Sequence, residues 1–311
     1  MKSEFIHSLK NNDLVGVTAI PKSDLHNHAA NGGNFRYAGI HILNRPAHFE
    51  SIKDLKYWAD TNIKNLFPKI KRFEAAFVQA SIDNISVLSM NFLREEINIA
   101  DSVPGFISLI TELKNKFAPN TIFLPGLAFS SDSNIDYENS FLDEILSFRY
   151  FSSIDICGII EKAQPTKNFK RLFQKAKNAG LRLKAHVGEY GTADDVMEFV
   201  EELELDEVQH GIAASSSPQI MKWLANHKIQ LNICPTSNIL LGRVDNYKNH
   251  PIRILYDYNI PVTINTDDML IFDQSVSQEY LNLYNCGLMK AYELENIRLT
   301  GLRAIDFYNK I

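Results

Sequence analysis

The chain has 311 residues, of which 45% are hydrophobic and 22% are charged, and its formal net charge is -5 at pH 7. This balance is typical of a soluble folded protein and excludes a disordered or collagen-like chain. A negative net charge gives no general attraction to phosphate backbones or to anionic lipid. We therefore expect neither nucleic acid nor a membrane as a partner.

The chain length is typical of an α/β barrel. No stretch approaches the roughly 18 apolar residues that span a bilayer, and the N-terminus lacks the apolar run of a signal peptide, so we expect a cytoplasmic protein. Cys157, Cys234 and Cys286 are isolated, which indicates neither a disulfide framework nor a thiolate zinc site. Without a visible linker or repeat, we predict one domain over residues 1–311.

The N-terminal third predicts a helix, a strand and a helical insertion. Ser3 is a suitable N-cap for a helix to about Lys10, and the chain then leads into a first strand ending in PKSDLHNH. From Arg36 the sequence is irregular, with helical spacing from about Ser51 and again from Pro68, where Pro suits a first turn. We place the second strand in VLSMNFLREEINIAD, although its charged run fits a strand poorly.

Strands and helices alternate regularly from Ser102 onward. The predicted strands are TIFLPGLAF, SIDICG, LRLKAH, EVQH, IQLNIC and PVTINT. Helical segments with apolar residues on one face separate them, and Gly180 is a typical stop for the helix before LRLKAH. Eight strands alternating with helices predict an α/β fold, a single (β/α)8 TIM barrel with additional helices at the C-terminus.

Histidines and carboxylates stand at the ends of four predicted strands. The candidates on strands one, five, six and eight are His26, His28, His186, Glu189, His210, Asp267 and Asp268. In a parallel barrel all strands end at the same face, so these groups can meet there. Each alone could be a turn, cap or structural residue, but coincidence at four strand ends favours one site. Three imidazoles and a carboxylate suit zinc with one position open for water, whose pKa falls to roughly 7.

The sequence resembles the adenosine deaminase family of metal-dependent amidohydrolases. The matching stretches are PKSDLHNH, KAHVGE, VQHG, CPTSN and NTDDMLIF, followed by Glu279 and Tyr280, in the family's order over about residues 21 to 280. The resemblance implies that one Zn²⁺, or another divalent metal, is held by four residues: His26, His28, His186 and Asp267. The cytidine-type pattern of HxE with PCxxC is absent.

The resemblance also implies roles for the other residues. Glu189 would protonate the purine at N1, and His210 would orient or deprotonate the attacking water. Asp268 would bind N7, and the backbone amide of Gly158 would meet N3. Because N7 is a hydrogen-bond acceptor, we expect Asp268 to carry or share a proton in the complex.

The stretch after the first histidine pair departs from the family. The usual Leu, acid and Gly are replaced by Ala29, Ala30 and Asn31. The acid contacts the ribose in members that use nucleosides, and Ala30 cannot accept that hydrogen bond. Asn31 and Arg36 are therefore candidate substrate-binding residues, although Arg36 suits a phosphate or carboxylate better than a sugar and is otherwise a surface residue.

These observations predict an enzyme that hydrolytically deaminates a 6-aminopurine, with adenosine or 2′-deoxyadenosine as the first candidates and inosine or 2′-deoxyinosine plus ammonia as products. The alternatives are adenine, a modified adenine nucleoside or nucleotide, another amidohydrolase reaction at a C–N bond, and an inactive metal-retaining binding protein. The partner is in each enzymatic case a small molecule. The sequence does not predict an oligomeric state.

Overall fold

Eight parallel strands follow one another around the molecule in chain order. The structure is a computed structural model that describes residues 3–42, 44–64, 66–158 and 166–308. The strands are β1 (Lys22–His28), β2 (Ile85–Leu93), β3 (Ile122–Ser130), β4 (Ser153–Cys157), β5 (Arg182–Val187), β6 (Glu207–His210), β7 (Gln230–Ile233) and β8 (Val262–Ile264). All seven neighbouring pairs are parallel.

Helices lie between successive strands, before β1 and after β8, and their alternation with the strands confirms the predicted (β/α)8 barrel. They are α1 (Glu4–Lys10), α2 (Leu14–Ala19), α3 (Ile52–Ala59), α4 (Lys69–Ile82), α5 (Arg94–Ile97), α6 (Val103–Phe117), α7 (Ile135–Leu146), α8 (Lys170–Asn178), α9 (Ala193–Leu203), α10 (Pro218–His227), α11 (Pro235–Leu240), α12 (Ile252–Asp257), α13 (Met269–Phe272), α14 (Val276–Asn285), α15 (Ala291–Leu302) and α16 (Ile305–Tyr308). Among the described residues, none of these helices combines the length and apolar character needed to cross a bilayer.

The first and last strands meet at their carboxyl ends. Asn27 and Asp267 form a parallel bridge. The backbone N–H of Asp267 donates to the carbonyl oxygen of His26 at 2.9 Å, and the N–H of His28 donates to the carbonyl oxygen of Asp267 at 3.3 Å. This seam therefore lies among the residues that the sequence analysis singled out.

Of the three buried apolar clusters among the described residues, the two larger ones account for most of the core. The larger one fills the space between the barrel and its helices, where Phe73, Phe92 and Phe106 pack edge to face with ring centroids 5.1 to 6.4 Å apart. The smaller one includes Leu55 and Phe272 and lies beneath the segment between β1 and α4. This segment thus packs on its own apolar base beside the mouth of the barrel.

Three local predictions need correction. Helix α2 lies where we expected the approach to the first strand, because Asp13 caps it by accepting a hydrogen bond from the N–H of Gly16. The charged run after β2 forms α5, where the Glu96 carboxylate accepts from the N–H of Leu93. The helical spacing from Pro68 predicts Ile70 and Ile82 on the apolar face of α4, but both are exposed.

A close approach between the loop after β1 and α4 gives a test of the packing. A Cβ built on Gly33 would lie 2.3 Å from the carbonyl oxygen of Ala75, which is helix backbone and cannot rotate away. We expect Gly33→Ala to lower the free energy of unfolding by about 1–3 kcal/mol or more, measured by urea unfolding. Gly105→Ala in α6, where the nearest atom is 3.4 Å away, is the control and should be neutral or stabilising. Equal stability of the two variants would contradict this account of the packing.

Candidate active site

The four residues predicted as metal ligands converge at the carboxyl end of the barrel. His26 Nε2 lies 2.9 Å from His186 Nε2, which lies 3.1 Å from His28 Nε2. Asp267 Oδ1 is 3.5 Å from His26 Nε2 and 3.2 Å from His28 Nε2. One ligand atom from each residue lies within 4.8 Å of all the others. The structure therefore brings three imidazoles and one carboxylate to a single point.

The hydrogen bonds behind these imidazoles show that the cluster fits a cation. His186 Nδ1 lies 3.2 Å from both Asp155 Oδ1 and the carbonyl oxygen of Ile156. Both oxygens accept, so Nδ1 carries the proton and the Nε2 lone pair faces the cluster. His26 Nδ1 lies 3.3 Å from the carbonyl oxygen of Asn232, which orients its Nε2 in the same way. Two lone pairs that face each other repel unless a cation lies between them, so this donor set fits zinc or a similar divalent metal.

The charges of the site also favour a cation. Burial alone would raise the pKa of Asp267, but His26 and His28 hold it well below its usual range, so this carboxylate is ionised. Burial lowers the pKa of His28, yet Asp268 and Asp267 outweigh it and raise that pKa to about 10. A site that stabilises a proton on one of its imidazoles so strongly offers the same negative potential to a metal ion.

Two of the site residues have left-handed backbone conformations. His210 has φ 63° and Asp267 has φ 62°, values that cost a non-glycine residue roughly 1 kcal/mol or more. His210 is the last residue of β6, and Asp267 follows the end of β8. Both side chains line the cavity described below. Gly211 is also left-handed, and a Cβ there would lie 2.8 Å from Leu231. The backbone is thus turned sharply where these side chains enter the barrel mouth.

Glu189 and His210 lie next to the ligand cluster. His210 Nε2 is 3.6 Å from Glu189 Oε1 and 3.8 Å from Asp267 Oδ2. Burial, and then the charge of Asp267, raise the pKa of Glu189 well above its usual range, so this carboxyl group keeps a proton. Its Oε1 atom is buried and has no hydrogen-bond partner among the described residues. A buried carboxylic acid is therefore available to a ligand.

A cavity of about 390 Å³ opens above these groups, within the size range of small-molecule sites. Helix α3 contributes Ile52, Leu55 and Lys56 to its wall. The predicted site residues on its wall are His28, Asn31, Gly158, His186, Glu189, His210, Asp267 and Asp268. Of the three cysteines, Cys157 also lines the cavity, and Cys234 is buried with its Sγ 3.4 Å from His26 Nδ1.

Arg36, the other candidate substrate-binding residue, lies outside the described wall of this cavity. Its guanidinium is half exposed, pairs with Asp273 and lines a separate cavity of about 180 Å³ together with Arg45. Ala30 is 2% exposed and is not among the described residues of the main cavity wall. Asn31 is thus the only one of the two candidates that the structure places at the cavity.

The side chain of Asn31 is held between two charged residues. Arg72 Nη1 donates to Asn31 Oδ1 at 3.1 Å, and Asn31 Nδ2 donates to Asp268 Oδ1 at 2.9 Å. Because a guanidinium only donates, it fixes the orientation of the amide. Arg72 is 4% exposed on α4, where helical periodicity gives no signal for a buried cation.

Sequence reasoning also missed residues that contact the ligands from behind. Asp155 holds His186, and Ser237 Oγ donates to Asp267 Oδ2 at 2.6 Å. Asn238 Nδ2 lies 3.1 Å from His210 Nδ1. A signal for Asp155 was available, since a carboxylate inside the apolar strand SIDIC must have partners. Ser237 and Asn238 belong to the CPTSN stretch, which matches the family but does not by itself indicate a role for either residue.

The chain matches known proteins in both sequence and structure. The family model described as adenosine deaminase matches residues 144–306, just over half of the chain. A Treponema pallidum protein named as an adenosine/adenine deaminase is 26% identical over 284 residues, which cover 88% of this chain and 95% of that protein. These two matches concern the sequence alone.

Two solved structures share the fold. An amidohydrolase from Burkholderia ambifaria, solved with bound zinc, has a TM-score of 0.75 at 17% identity and covers 93% of this chain and 86% of its own. The N6-mAMP deaminase of Arabidopsis has a TM-score of 0.76 at 17% identity, with 94% of each chain covered. The family model, which matches more than half of the chain, shows that the chain belongs to the adenosine deaminase family, whose members are hydrolases acting on C–N bonds of cyclic amidines.

Proposed function

We propose that this protein hydrolytically deaminates a 6-aminopurine, and that adenosine and 2′-deoxyadenosine are its substrates. The observation that carries the proposal is the convergence of His26, His28, His186 and Asp267 on one point. All but His26 line the same cavity as Glu189, whose pKa burial raises well above its usual range. A divalent metal bound by these four residues would supply a Lewis acid that makes water nucleophilic at neutral pH. The zinc in the related amidohydrolase supports the choice of metal.

Glu189 is the general acid of the proposed reaction. Addition of water to C6 of a purine places negative charge on N1, so a proton donor must face that nitrogen. The raised pKa of Glu189 keeps its proton available, and its Oε1 lies near His210 on the cavity wall. The Glu189 carboxyl group would give its proton to N1, whereas Asp267, the other wall carboxyl close to His210, has a lowered pKa and would serve as a metal ligand.

Asp268 and Gly158 position the purine ring in the proposal. N7 is an acceptor, so Asp268 needs a proton to bind it. Because Asn31 donates to Asp268 Oδ1, that proton belongs on Oδ2. Gly158 has φ 76° and lines the same cavity, where its backbone amide would meet N3. Neutron diffraction of a ligand complex would show whether Oδ2 of Asp268 carries the proton.

The sugar has no acidic partner at the position where the family provides one. Ala30 offers a buried methyl group, and the amide of Asn31 is engaged by Arg72 and Asp268. This observation favours a second candidate, in which the substrate is adenine or a modified adenine nucleoside or nucleotide. The names of the Treponema relative and the Arabidopsis enzyme support a 6-aminopurine and leave its substituent open.

The charges on the cavity wall favour a neutral substituent. Apart from the histidines, Lys56 is the one cationic side chain among the described wall residues, and it shares the wall with Glu95 and Glu96. A phosphate group would meet those carboxylates as well as the lysine, and like charges repel at such range. This charge balance supports ranking the nucleosides ahead of AMP in the proposal.

The direct test measures ammonia released by the zinc-loaded protein from adenosine, 2′-deoxyadenosine, adenine, AMP, guanine and cytosine, and methylamine released from N6-methyl-AMP. We expect the two nucleosides to give a higher kcat/KM than adenine and both nucleotides. Activity restricted to adenine or a nucleotide would support the deaminase activity but would refute a nucleoside as the substrate. Release of neither ammonia nor methylamine from any of the 6-aminopurines, with the metal bound, would refute the proposed function.

Replacing the acid separates chemistry from metal binding. Glu189→Gln keeps the shape of the side chain but removes the acidic proton, so we expect kcat to fall by roughly 10²- to 10⁴-fold, with the zinc content unchanged. Glu95→Gln is the matched control, because Glu95 is an exposed carboxylate of the same cavity wall, and its kcat should stay close to wild type. Full activity of Glu189→Gln would show that Glu189 is not the acid.

A further inference from the structure

A chain of hydrogen bonds runs from a backbone amide to the back of His210. The N–H of Ile252, at the start of α12, donates to His250 Nδ1 at 3.1 Å. His250 Nε2 lies 3.2 Å from Asn238 Oδ1. Asn238 Nδ2 in turn lies 3.1 Å from His210 Nδ1. All three side chains are at most 1% exposed, so bulk water does not compete for these contacts.

The backbone N–H of Ile252 fixes which atom donates and which accepts in each of these hydrogen bonds. It can only donate, so His250 Nδ1 must accept, and the proton of the neutral ring is on Nε2. That proton is donated to Asn238 Oδ1, which turns the Nδ2 group toward His210. An amide NH₂ only donates, so His210 Nδ1 accepts. The proton of a neutral His210 is therefore on Nε2, the nitrogen that faces the cavity.

The surroundings of each ring agree with this direction. Burial lowers the pKa of His250 to about 3, so that ring is neutral at physiological pH and carries a single proton. On the other side, His210 Nε2 faces Glu189 Oε1 at 3.6 Å and Asp267 Oδ2 at 3.8 Å. Oxygen atoms of these groups accept hydrogen bonds, which suits an N–H at this nitrogen.

Further hydrogen bonds hold in place the helix that carries Asn238. Helix α11 bears Asn238, and the Glu279 carboxylate accepts from the N–H of Thr236 in its first turn at 2.9 Å. The next residue, Ser237, donates to Asp267. Asn238 therefore occupies a fixed position between the ligand cluster and His250, and its amide has a defined partner on each side.

We propose that Asn238 and His250 are positioning residues that hold His210 in its Nε2–H tautomer, so that His210 donates a hydrogen bond to the attacking water oxygen and does not accept its proton. The role at the water rests on the proposed function, whereas the tautomer does not. Of the two roles that the family resemblance allows for His210, orientation of the water is the one that this hydrogen-bond chain permits.

The tautomer can be measured in the wild-type protein without any substrate. Two-bond ¹H–¹⁵N correlations of ¹⁵N-histidine-labelled protein distinguish Nδ1 from Nε2 and show which nitrogen carries the proton. We expect Nε2–H for both His210 and His250, in the metal-free and the zinc-loaded protein. A proton on His210 Nδ1 would overturn the proposal, whatever the enzyme turns over.

The variant Asn238→Asp tests the consequence for catalysis. The substitution keeps the size of the side chain and the acceptor for His250, but it presents an acceptor to His210 Nδ1, so we expect the proton to move to that nitrogen. Loss of a single hydrogen-bond donor at the reacting group then lowers kcat on the order of 100-fold, with a smaller change in KM and unchanged zinc content.

The matched control is Asn139→Asp, which also places a carboxylate at a buried asparagine but lies on α7, outside the cavity wall. Its kcat should remain within about threefold of wild type, as for a change away from the reacting groups. In all the variants, we expect kcat to stay close to wild type where His210 Nε2 carries the proton and to fall where it does not. An unchanged kcat where that proton is lost, or a 100-fold loss where it is kept, would overturn the proposed role.

Discussion

The site depends on the seam where the barrel closes. Backbone hydrogen bonds join Asp267 to His26 and His28, so the closure of the sheet itself brings three ligands from the two ends of the chain together. The fourth ligand, His186, reaches the same point from the opposite side of the barrel on β5. Because three of the four proposed ligands belong to the ladder that closes the fold, main-chain geometry fixes the positions from which their side chains reach the proposed metal site.

Three of the proposed site residues, His186, His210 and Asp268, have a polar partner that sets their orientation. Asp155 accepts from His186, and Asn238 donates to His210. Asn31 donates to Asp268. The partners act through hydrogen bonds with a fixed direction, since carboxylates only accept and guanidinium and backbone amides only donate. The same logic that indicates a cation among the imidazoles also assigns the proton on His210.

Much of this arrangement follows from the sequence, because the barrel converts strand ends into neighbours. The positions of His26, Glu189 and Asp267 at strand ends were enough to predict one site, and the family resemblance assigned their roles. Element type followed from periodicity and turn residues. The (β/α)8 fold was predicted correctly for the same reason, since alternation of strands and helices is a strong and repeated signal.

The parts that the sequence did not predict are those set by contacts between distant residues. Helical spacing favours an apolar residue at a buried position, so it gives no signal for a buried Arg72. Its partner Asn31 lies in another element, and spacing within one helix does not reveal that contact. His250 lies in none of the stretches that match the family, so the sequence gives no signal for its contact with Asn238. Arg36 was chosen for its charge, and the local ion pair with Asp273 removes it from the cavity wall.

Titration of metal-free protein with zinc tests the central claim most directly. Ammonia release from the best 6-aminopurine substrate would be followed as zinc is added, with bound metal counted in the same samples. One site made of His26, His28, His186 and Asp267 predicts that activity is absent at first, rises in proportion to bound zinc and stops rising at about one ion per chain. Activity that is present without metal, or that is unaffected by its binding, would contradict the account.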